Sequence, residues 1–345
     1  MRIGFLLAAL NDLDIMSCDV SNAYLYAPAK EKVWFEAGDE LGSDKGTVII
    51  IRKAIYGLKS SGSSWHRVCS QQLRDMGFTP SRADPDVWLK AAVKPGGIEY
   101  YEYILFYVDD ILSISHDPMK AMTQIGEAFS LKEPPARPSR YLGANVTRWQ
   151  LPDGRICWAT SSDDYVKNAV KIVQQQVIKE GTQWRLGKTA ERPMPEKYRP
   201  ELDATEELDD KLANRYLQYI GILRWAVELG RVDILLEVSL LSTMMAQPRR
   251  GHLEAVYSIF MYLDKHENST MAYDHAYPNI DETVFTDPDW TDFYGDISEE
   301  IPLDAPVPRG KPVVVTTFVD SDHAGKSGNK EVPHRDHHLH QQGAD

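Results

Sequence analysis

The chain of 345 residues has little cysteine, no long apolar run and no excess of basic residues. Its three cysteines, Cys18, Cys69 and Cys157, lie far apart and form no Cys-x-x-Cys pair, so neither a disulfide framework nor a cysteine-based zinc site is expected. No segment approaches the ~20 apolar residues that a membrane-spanning helix needs. The early apolar run 3–10 is followed by acidic residues where a signal peptide would carry small cleavage-site residues, which favours a core helix.

Acidic residues exceed basic ones, and the excess lies in the second half of the chain. The formal net charge is -13. Residues 1–148 hold 17 Lys and Arg against 18 Asp and Glu, whereas residues 149–345 hold 21 against 33. A sequence-independent nucleic-acid binder normally presents basic surface to phosphates. The composition therefore argues against such a binder overall, while the nearly neutral first half remains compatible with phosphate binding.

The order of predicted elements indicates an α+β fold. The strongest strand signal, 101–115, consists of two apolar runs separated only by Asp109-Asp110, which predicts a hairpin with acidic residues at its tip. Residues 15–26 are predicted to be extended, 48–51 to form a short strand and 63–76 to form a helix. Strands and helices in this order favour an antiparallel sheet backed by helices.

Three aspartates could carry chemistry. The hairpin doublet Asp109-Asp110 could be an ordinary solvated turn, because aspartate is a common turn residue. Asp19, however, lies late in an apolar strand, where a carboxylate without a partner is costly to bury. If that strand lies beside the hairpin, the three acids meet and could bind two divalent cations, which is typical of phosphoryl transfer.

Several short motifs follow one another along the chain. They are Asp19-Val20-Ser21-Asn22-Ala23-Tyr24-Leu25, Ile55-Tyr56-Gly57-Leu58-Lys59 with Trp65, Ala83-Asp84-Pro85-Asp86, Tyr107-Val108-Asp109-Asp110 and Tyr141-Leu142-Gly143. In their order and spacing they resemble the reverse transcriptase of copia-type LTR retrotransposons. The likeness continues through 219–223, 231–234 and 262–263 and covers roughly residues 1–275.

The resemblance implies a catalytic centre with metal ions. Asp19 would be the first metal ligand, helped by the Val20 carbonyl, and Asp109 and Asp110 would be the paired acids of the turn. The cofactor implied is a pair of Mg²⁺ ions, with Mn²⁺ as a substitute.

The resemblance also implies nucleotide and primer contacts. Val20, Tyr24 and Ser60 would lie at the nucleotide, with Tyr24 packing under the sugar and excluding a 2′-hydroxyl. On sequence alone, without the resemblance, a buried core tyrosine is the preferred interpretation of Tyr24. The segment Tyr141-Leu142-Gly143 would grip the primer end. Ser60 departs from the family, which usually has glutamine there.

The ends of the chain depart further from the family pattern. Only 18 residues precede Asp19, so the front of the fingers is expected to be missing. Asp320, in Phe318-Val319-Asp320-Ser321-Asp322, resembles the first metal ligand of ribonuclease H, but only 20 residues follow Gly325, which predicts an inactive remnant of that nuclease.

The resemblance gives names to the predicted domains. They are a reverse-transcriptase palm with partial fingers (1–160), a thumb-like helix (161–190), a linker with three prolines (191–210), a helical connection region (211–275), an acidic linker (276–312) and a truncated ribonuclease H-like strand with a disordered tail (313–345).

Two functions from different classes follow. The first is an RNA- and DNA-templated DNA polymerase fragment that acts on a primed RNA or DNA template with dNTPs. The alternative is a catalytically inactive retrotransposon remnant that is at most a nucleic-acid-binding module. An unrelated two-metal nuclease or phosphatase is disfavoured, because neither explains the 56–65 loop. Integrase and ribonuclease H are the expected polyprotein neighbours, no membrane partner is expected, and the expected location is a cytoplasmic virus-like particle, with the nucleus as the alternative.

Overall fold

The computed structural model describes residues 1–179, 191–276, 291–295, 302–303 and 305–313. Within these residues the chain combines helices with antiparallel sheets, as the sequence predicts. None of the helices in the described part of the chain has the length and apolar character needed to cross a bilayer.

The elements are numbered in chain order. The helices are α1 (Arg2–Leu10), α2 (Ser61–Asp75), α3 (Pro118–Ala128), α4 (Asp163–Lys179), α5 (Asp210–Glu228), α6 (Leu235–Ser242), α7 (Arg250–Lys265) and α8 (Thr291–Tyr294). The strands are β1 (Asp14–Asp19), β2 (Trp34–Glu36), β3 (Val48–Ile50), β4 (Thr79–Pro80), β5 (Val87–Val93), β6 (Glu99–Tyr107), β7 (Asp110–Ser115), β8 (Arg140–Tyr141), β9 (Ala144–Gln150), β10 (Ile156–Ser161) and β11 (Thr270–Ala272).

Three sheets are present in the described residues. The five-stranded sheet has the order β1-β7-β6-β5-β4 and is antiparallel throughout. A four-stranded sheet has the order β11-β10-β9-β8, and β2 pairs with β3 in a separate ribbon. The predicted hairpin is present as β6 and β7, although its loop is Val108-Asp109 rather than Asp109-Asp110, so Asp110 begins the second strand.

The five-stranded sheet is packed against α2 and α3. Trp65, Cys69 and Leu73 recur at helical spacing on α2 and are buried in one cluster with Ile104 and Ile111 of the sheet. On α3, Ala121, Met122 and Ile125 are buried in the same cluster. Since burial of apolar surface is the main favourable term in folding, these two helix faces fix the sheet that carries the three aspartates.

The predicted extended segment 15–26 ends early in the structure. β1 stops at Asp19, Asn22 adopts a left-handed conformation with φ 50°, and Ala23–Tyr26 form a short 3₁₀ helix. Asparagine is among the few residues that tolerate this conformation. Because the strand ends at Asp19, the prediction of an extended segment through Tyr26 was wrong. The turn instead packs the Tyr26 ring against that of Phe129, with the ring centroids 5.1 Å apart.

The chain divides into two compact units. The first contains 1–142, 146–159 and the described residues beyond Ala272, and the second contains 143–145 and the described residues of 160–271. In the first unit the ring of Tyr273 stacks on that of Phe5, with centroids 5.2 Å apart, and the Tyr101 hydroxyl donates to the Val307 carbonyl at 2.7 Å.

The second unit is a helical core built from α4, α5, α6 and α7. Val170, Leu223, Leu241 and Ile259, one from each helix, are buried in one cluster. The domains predicted from the sequence for this part of the chain are the thumb-like helix, the linker and the connection region. The middle segment, 191–210, is hydrogen bonded to the start of α7, where the Gly251 amide donates to Thr205 Oγ1 at 2.9 Å.

We expect Leu223→Ala to lower the free energy of unfolding of the second unit by about 2–5 kcal/mol, because truncating a fully buried leucine removes apolar contacts and leaves a cavity. Urea unfolding followed by circular dichroism measures the change. Leu217→Ala is the matched control on the same helix, since that side chain is 37% exposed and its loss should cost much less. Equal losses in the two variants would contradict the assigned core.

Candidate active site

The structure brings the three predicted aspartates together at one end of the five-stranded sheet. β1 and β7 are antiparallel, and their register places Asp19 directly opposite Asp110. Opposite residues in such a pair have Cα atoms about 4.5–5.5 Å apart. Asp109 is the adjacent loop residue, and its carbonyl accepts a hydrogen bond from the Val20 amide at 2.9 Å. The three carboxylates therefore share one small region, as the sequence argument required.

The loop that carries Asp109 has an unusual backbone. The two central residues of this loop are Val108 and Asp109. Of the two, only Val108 has a positive φ, 54°, which is the pattern of a type II′ turn. Glycine normally occupies that position, because a β-branched residue there is strained by about 1–3 kcal/mol. Strain of this kind persists only where the surrounding structure holds it.

Trp65 supplies such a restraint. Its indole Nε1 donates a hydrogen bond to the Val108 carbonyl at 2.5 Å, and its ring is 1% exposed. The residue thus anchors α2 to the loop between β6 and β7. The resemblance implies that the segment 56–65 lies against the templating base and the nucleotide. The signal for the additional contact with Val108 was the general need of a buried indole N–H for an acceptor.

A lysine that the sequence analysis did not select lies among the acids. Lys132 Nζ is 2.6 Å from Asp19 Oδ2 and 3.4 Å from Asp109 Oδ2. The hydrogen bond from this ammonium to Asp19 raises the pKa of Lys132. Burial, followed by the charges of Asp109 and Asp19, raises the pKa of Asp110 to about 6. The three aspartates together therefore carry more negative charge than Lys132 alone neutralises.

The donor set suits a hard divalent cation. Carboxylate oxygens are the ligands that Mg²⁺ prefers, and Asp19 Oδ1 is buried without a hydrogen-bond partner. Within the described residues, no three histidine, cysteine or acidic side chains already converge as a preformed metal site. Carboxylates that bind a cation would have to reorient, and Asp19 Oδ2 would have to be shared with or released from Lys132.

The residues assigned to the nucleotide lie in different environments. Val20 is fully buried, while Tyr24 is half-buried in the 3₁₀ helix with its ring 4.6 Å from that of Tyr56, which is 69% exposed. Ser60 is already engaged: its amide and hydroxyl donate to the two carboxylate oxygens of Glu31, at 2.9 and 2.5 Å. Ser60 therefore has no free donor in this conformation, a contact that sequence analysis did not anticipate.

The predicted primer segment is a tight turn. Tyr141 is buried, and burial raises the pKa of its hydroxyl, whereas Leu142 and Gly143 have φ of 50° and 91°. Glycine tolerates such a conformation, and leucine does so at a cost. Tyr141, Cys18, Asp19, Asp110 and Lys132 are among the residues that line a cavity of about 360 Å³. The other site prediction, Asp320, lies outside the described residues.

Asp109→Asn should lower the pKa of Asp110 from about 6, because it removes a neighbouring negative charge. The value should stay above the ordinary 3.8, since burial is the larger cause. A carbon-13 NMR titration of the Asp110 carboxyl measures the shift, and Asp117→Asn, at an exposed acid, is the control.

The same pKa sets a pH dependence of stability. A carboxyl whose pKa is raised on folding stabilises the folded chain fully below pH 3.8, and this contribution is lost as the pH rises through about 6.

An unchanged pKa of Asp110 in the Asp109→Asn variant would show that the two carboxylates do not interact.

The chain is similar in sequence to a known protein family and to several known proteins. Residues 1–174 match the family described as reverse transcriptase (RNA-dependent DNA polymerase). The chain is 26% identical over 265 residues to the retrovirus-related Pol polyprotein from transposon TNT 1-94 of Nicotiana tabacum, an alignment that covers 74% of this chain and 19% of the polyprotein. It is 26% identical over 268 residues to the Pol polyprotein from transposon RE1 of Arabidopsis thaliana, covering 76% and 17% of the two chains.

A shorter relative is a transposon Ty5-1 protein of Saccharomyces cerevisiae, 25% identical over 250 residues, which cover 71% of this chain and 74% of that protein. The chain thus spans about a fifth of the two plant polyproteins and about three quarters of the yeast protein. Because the family match covers half of the chain and includes Asp19, Asp109 and Asp110, the chain belongs to the reverse transcriptase (RNA-dependent DNA polymerase) family.

Proposed function

We propose that the chain is a reverse transcriptase that extends a primer 3′-hydroxyl with dNTPs on an RNA or DNA template by nucleotidyl transfer that depends on two Mg²⁺ ions. The observation that carries the proposal is the register of β1 and β7, which sets Asp19 opposite Asp110 beside Asp109. Family membership supports the reaction class.

Three carboxylates would hold the cations. Asp19, Asp109 and Asp110 supply hard oxygen donors, with the Val20 carbonyl as a further one, and the buried Oδ1 of Asp19 is a donor without another partner. Two bound Mg²⁺ or Mn²⁺ ions would lower the pKa of the primer hydroxyl and stabilise the departing pyrophosphate. The remaining work of the protein is positioning, since in-line displacement at phosphorus needs little covalent help.

Positioning starts at the loop between β6 and β7. Val108 keeps its strained conformation under the hydrogen bond from Trp65, and that conformation fixes where the Asp109 carboxylate can point. A displacement of about 1 Å in a catalytic group can cost about 100-fold in rate. The Trp65 contact therefore supports the reaction by holding the residue that precedes Asp109.

Tyr24 would select the sugar. Its ring lies five residues beyond Asp19, in the 3₁₀ helix that follows β1, and it is packed against Tyr56. A ring held in this way leaves little room for an additional 2′-hydroxyl. We assign Ser60 a smaller part, because Glu31 must release it before it contacts a nucleotide.

The primer would lie along the turn Tyr141-Leu142-Gly143, whose first residue, Tyr141, lines the same cavity as Asp19 and Asp110. In domain terms, residues 1–160 would be the palm with partial fingers, 161–190 thumb-like and 211–275 a connection region. We also propose that ribonuclease H and integrase are the neighbours of this chain in a polyprotein and that the chain is located in a cytoplasmic virus-like particle.

Asp109→Asn should reduce primer extension at least about 100-fold, because it removes one charge from the proposed cation ligands. The measurement is gel-resolved extension of a primed homopolymer with dNTPs and Mg²⁺. Asp117→Asn, the same change at an exposed residue, should retain wild-type extension.

If the wild-type chain extends the primer no better than Asp109→Asn, while template binding persists in both, the chain is the inactive nucleic-acid-binding remnant and the proposal of a polymerase is wrong.

Tyr24→Ala should raise the use of ribonucleotides relative to deoxyribonucleotides by about tenfold or more, because the excluded volume is lost, and differences of one small group in a pocket are worth about 10–200-fold. Single-nucleotide incorporation with dNTP and rNTP gives the two efficiencies. Tyr24→Phe keeps the ring and should keep the discrimination. A ratio that is unchanged in Tyr24→Ala would assign Tyr24 to the core instead.

A further inference from the structure

Lys132 is a charged residue of the site for which the proposed reaction has no use. Its ammonium is within ion-pair distance of two of the three proposed cation ligands, at 2.6 Å from Asp19 Oδ2 and 3.4 Å from Asp109 Oδ2. In the described part of the chain, these are the ion pairs that Asp19 and Asp109 make. Arg137, the next cation along the segment, pairs instead with Asp14 at 2.6 Å.

The position of Lys132 is fixed by backbone pairing. Residues 130–136 run antiparallel to β1 along the edge that β7 does not occupy, with bridges at Val20–Leu131 and Ser17–Ala136. The Lys132 amide donates to the Asp19 carbonyl at 2.9 Å, and the Ser21 amide donates to the Ser130 carbonyl at 2.9 Å. The same hydrogen bonds that attach this segment therefore deliver the ammonium to the carboxylates.

This ammonium and a divalent cation require the same oxygen. Asp19 Oδ2 is bound to Lys132, and Asp19 Oδ1 faces the buried side without a hydrogen-bond partner. A cation that uses both Asp19 and Asp109 must share or displace Lys132, whose positive charge would also repel it. The Lys132 side chain is 49% exposed, so it has room to leave toward solvent.

We propose that Lys132 is a built-in counter-ion of the carboxylate pocket that competes with divalent cations for Asp19 and thereby sets the cation concentration the site requires. This inference rests on the proposed function, because it takes the three acids to be the cation ligands. Lys132 is a positioning residue in this role: it holds the acids together and yields to the incoming cation.

The proposal predicts a gain of affinity when the lysine is neutralised. Lys132→Met should bind Mn²⁺ about three- to fivefold more tightly than the wild-type chain, an effect of the size expected for a partly exposed ion pair. Lys132→Arg keeps the charge and should stay within about twofold of wild type. Lys171→Met removes an exposed positive charge from α4 and should leave the affinity unchanged.

The measurement is the electron paramagnetic resonance signal of free Mn²⁺, titrated into the full chain without nucleotide or template. Added NaCl should narrow the difference between Lys132→Met and wild type, because salt screens exposed charges. If Lys132→Met fails to fold by circular dichroism, Lys132→Gln takes its place. Metal-free thermal unfolding gives a second readout: neutralising Lys132 should lower the midpoint, and Mn²⁺ should restore it.

The Asp109→Asn variant distinguishes a failure of the proposed cation site from a failure of the role proposed for Lys132. If it weakens Mn²⁺ binding while Lys132→Met leaves the affinity at the wild-type value, the cation site stands and the counter-ion role of Lys132 is overturned. If Asp109→Asn has no effect on Mn²⁺ binding, the carboxylates are not the cation ligands, and both the proposed metal site and this inference fall.

Discussion

Mutual repulsion among three carboxylates is the constraint on which the site depends. Antiparallel pairing of β1 with β7 forces Asp19 and Asp110 to face each other, and the loop adds Asp109 beside them. Placed together without compensation, such charges would favour separation of the two strands. The buried faces of α2 and α3 oppose that separation, because the apolar sheet residues beneath the acids belong to the same core. Packing thus keeps like charges close, and burial, together with the charges of Asp109 and Asp19, raises the pKa of Asp110.

The loop between β6 and β7 shows the same relation between support and strain. Val108 is a poor residue for a left-handed position, and a glycine would relieve the backbone. The single hydrogen bond from Trp65 is worth about 0.5–1.5 kcal/mol, which offsets part of the strain. The rest is carried by the core around Trp65, where Phe106 and Phe129 pack edge-on against the indole. A relaxed loop would be more stable locally and less defined in direction.

Part of this arrangement could be predicted from the sequence. Alternating and apolar runs around Asp109-Asp110 specify a hairpin, and an acid late in an apolar strand predicts a partner. The meeting of Asp19 with the doublet was conditional on the pairing of β1 with β7, which the structure supplies. The interactions of Lys132 with Asp19 and of Glu31 with Ser60 could not be predicted in this way, because they join segments 113 and 29 residues apart through tertiary packing. Likewise, the end of β1 depends on the backbone of Asn22, for which no hydrophobic period gives a signal.

The segment that pairs with the outer side of β1 has a consequence for association between molecules. An uncovered strand at the border of a sheet can recruit strands from other chains and start aggregation. Here that border is occupied by 130–136, and Pro134, Pro135 and Pro138 lack the amide protons that a further strand would need. The opposite border, β4, is only two residues long. At the β1 margin the sheet is thereby closed to intermolecular growth, so the chain displays three carboxylates at a strand end without exposing that edge as a template for fibrils.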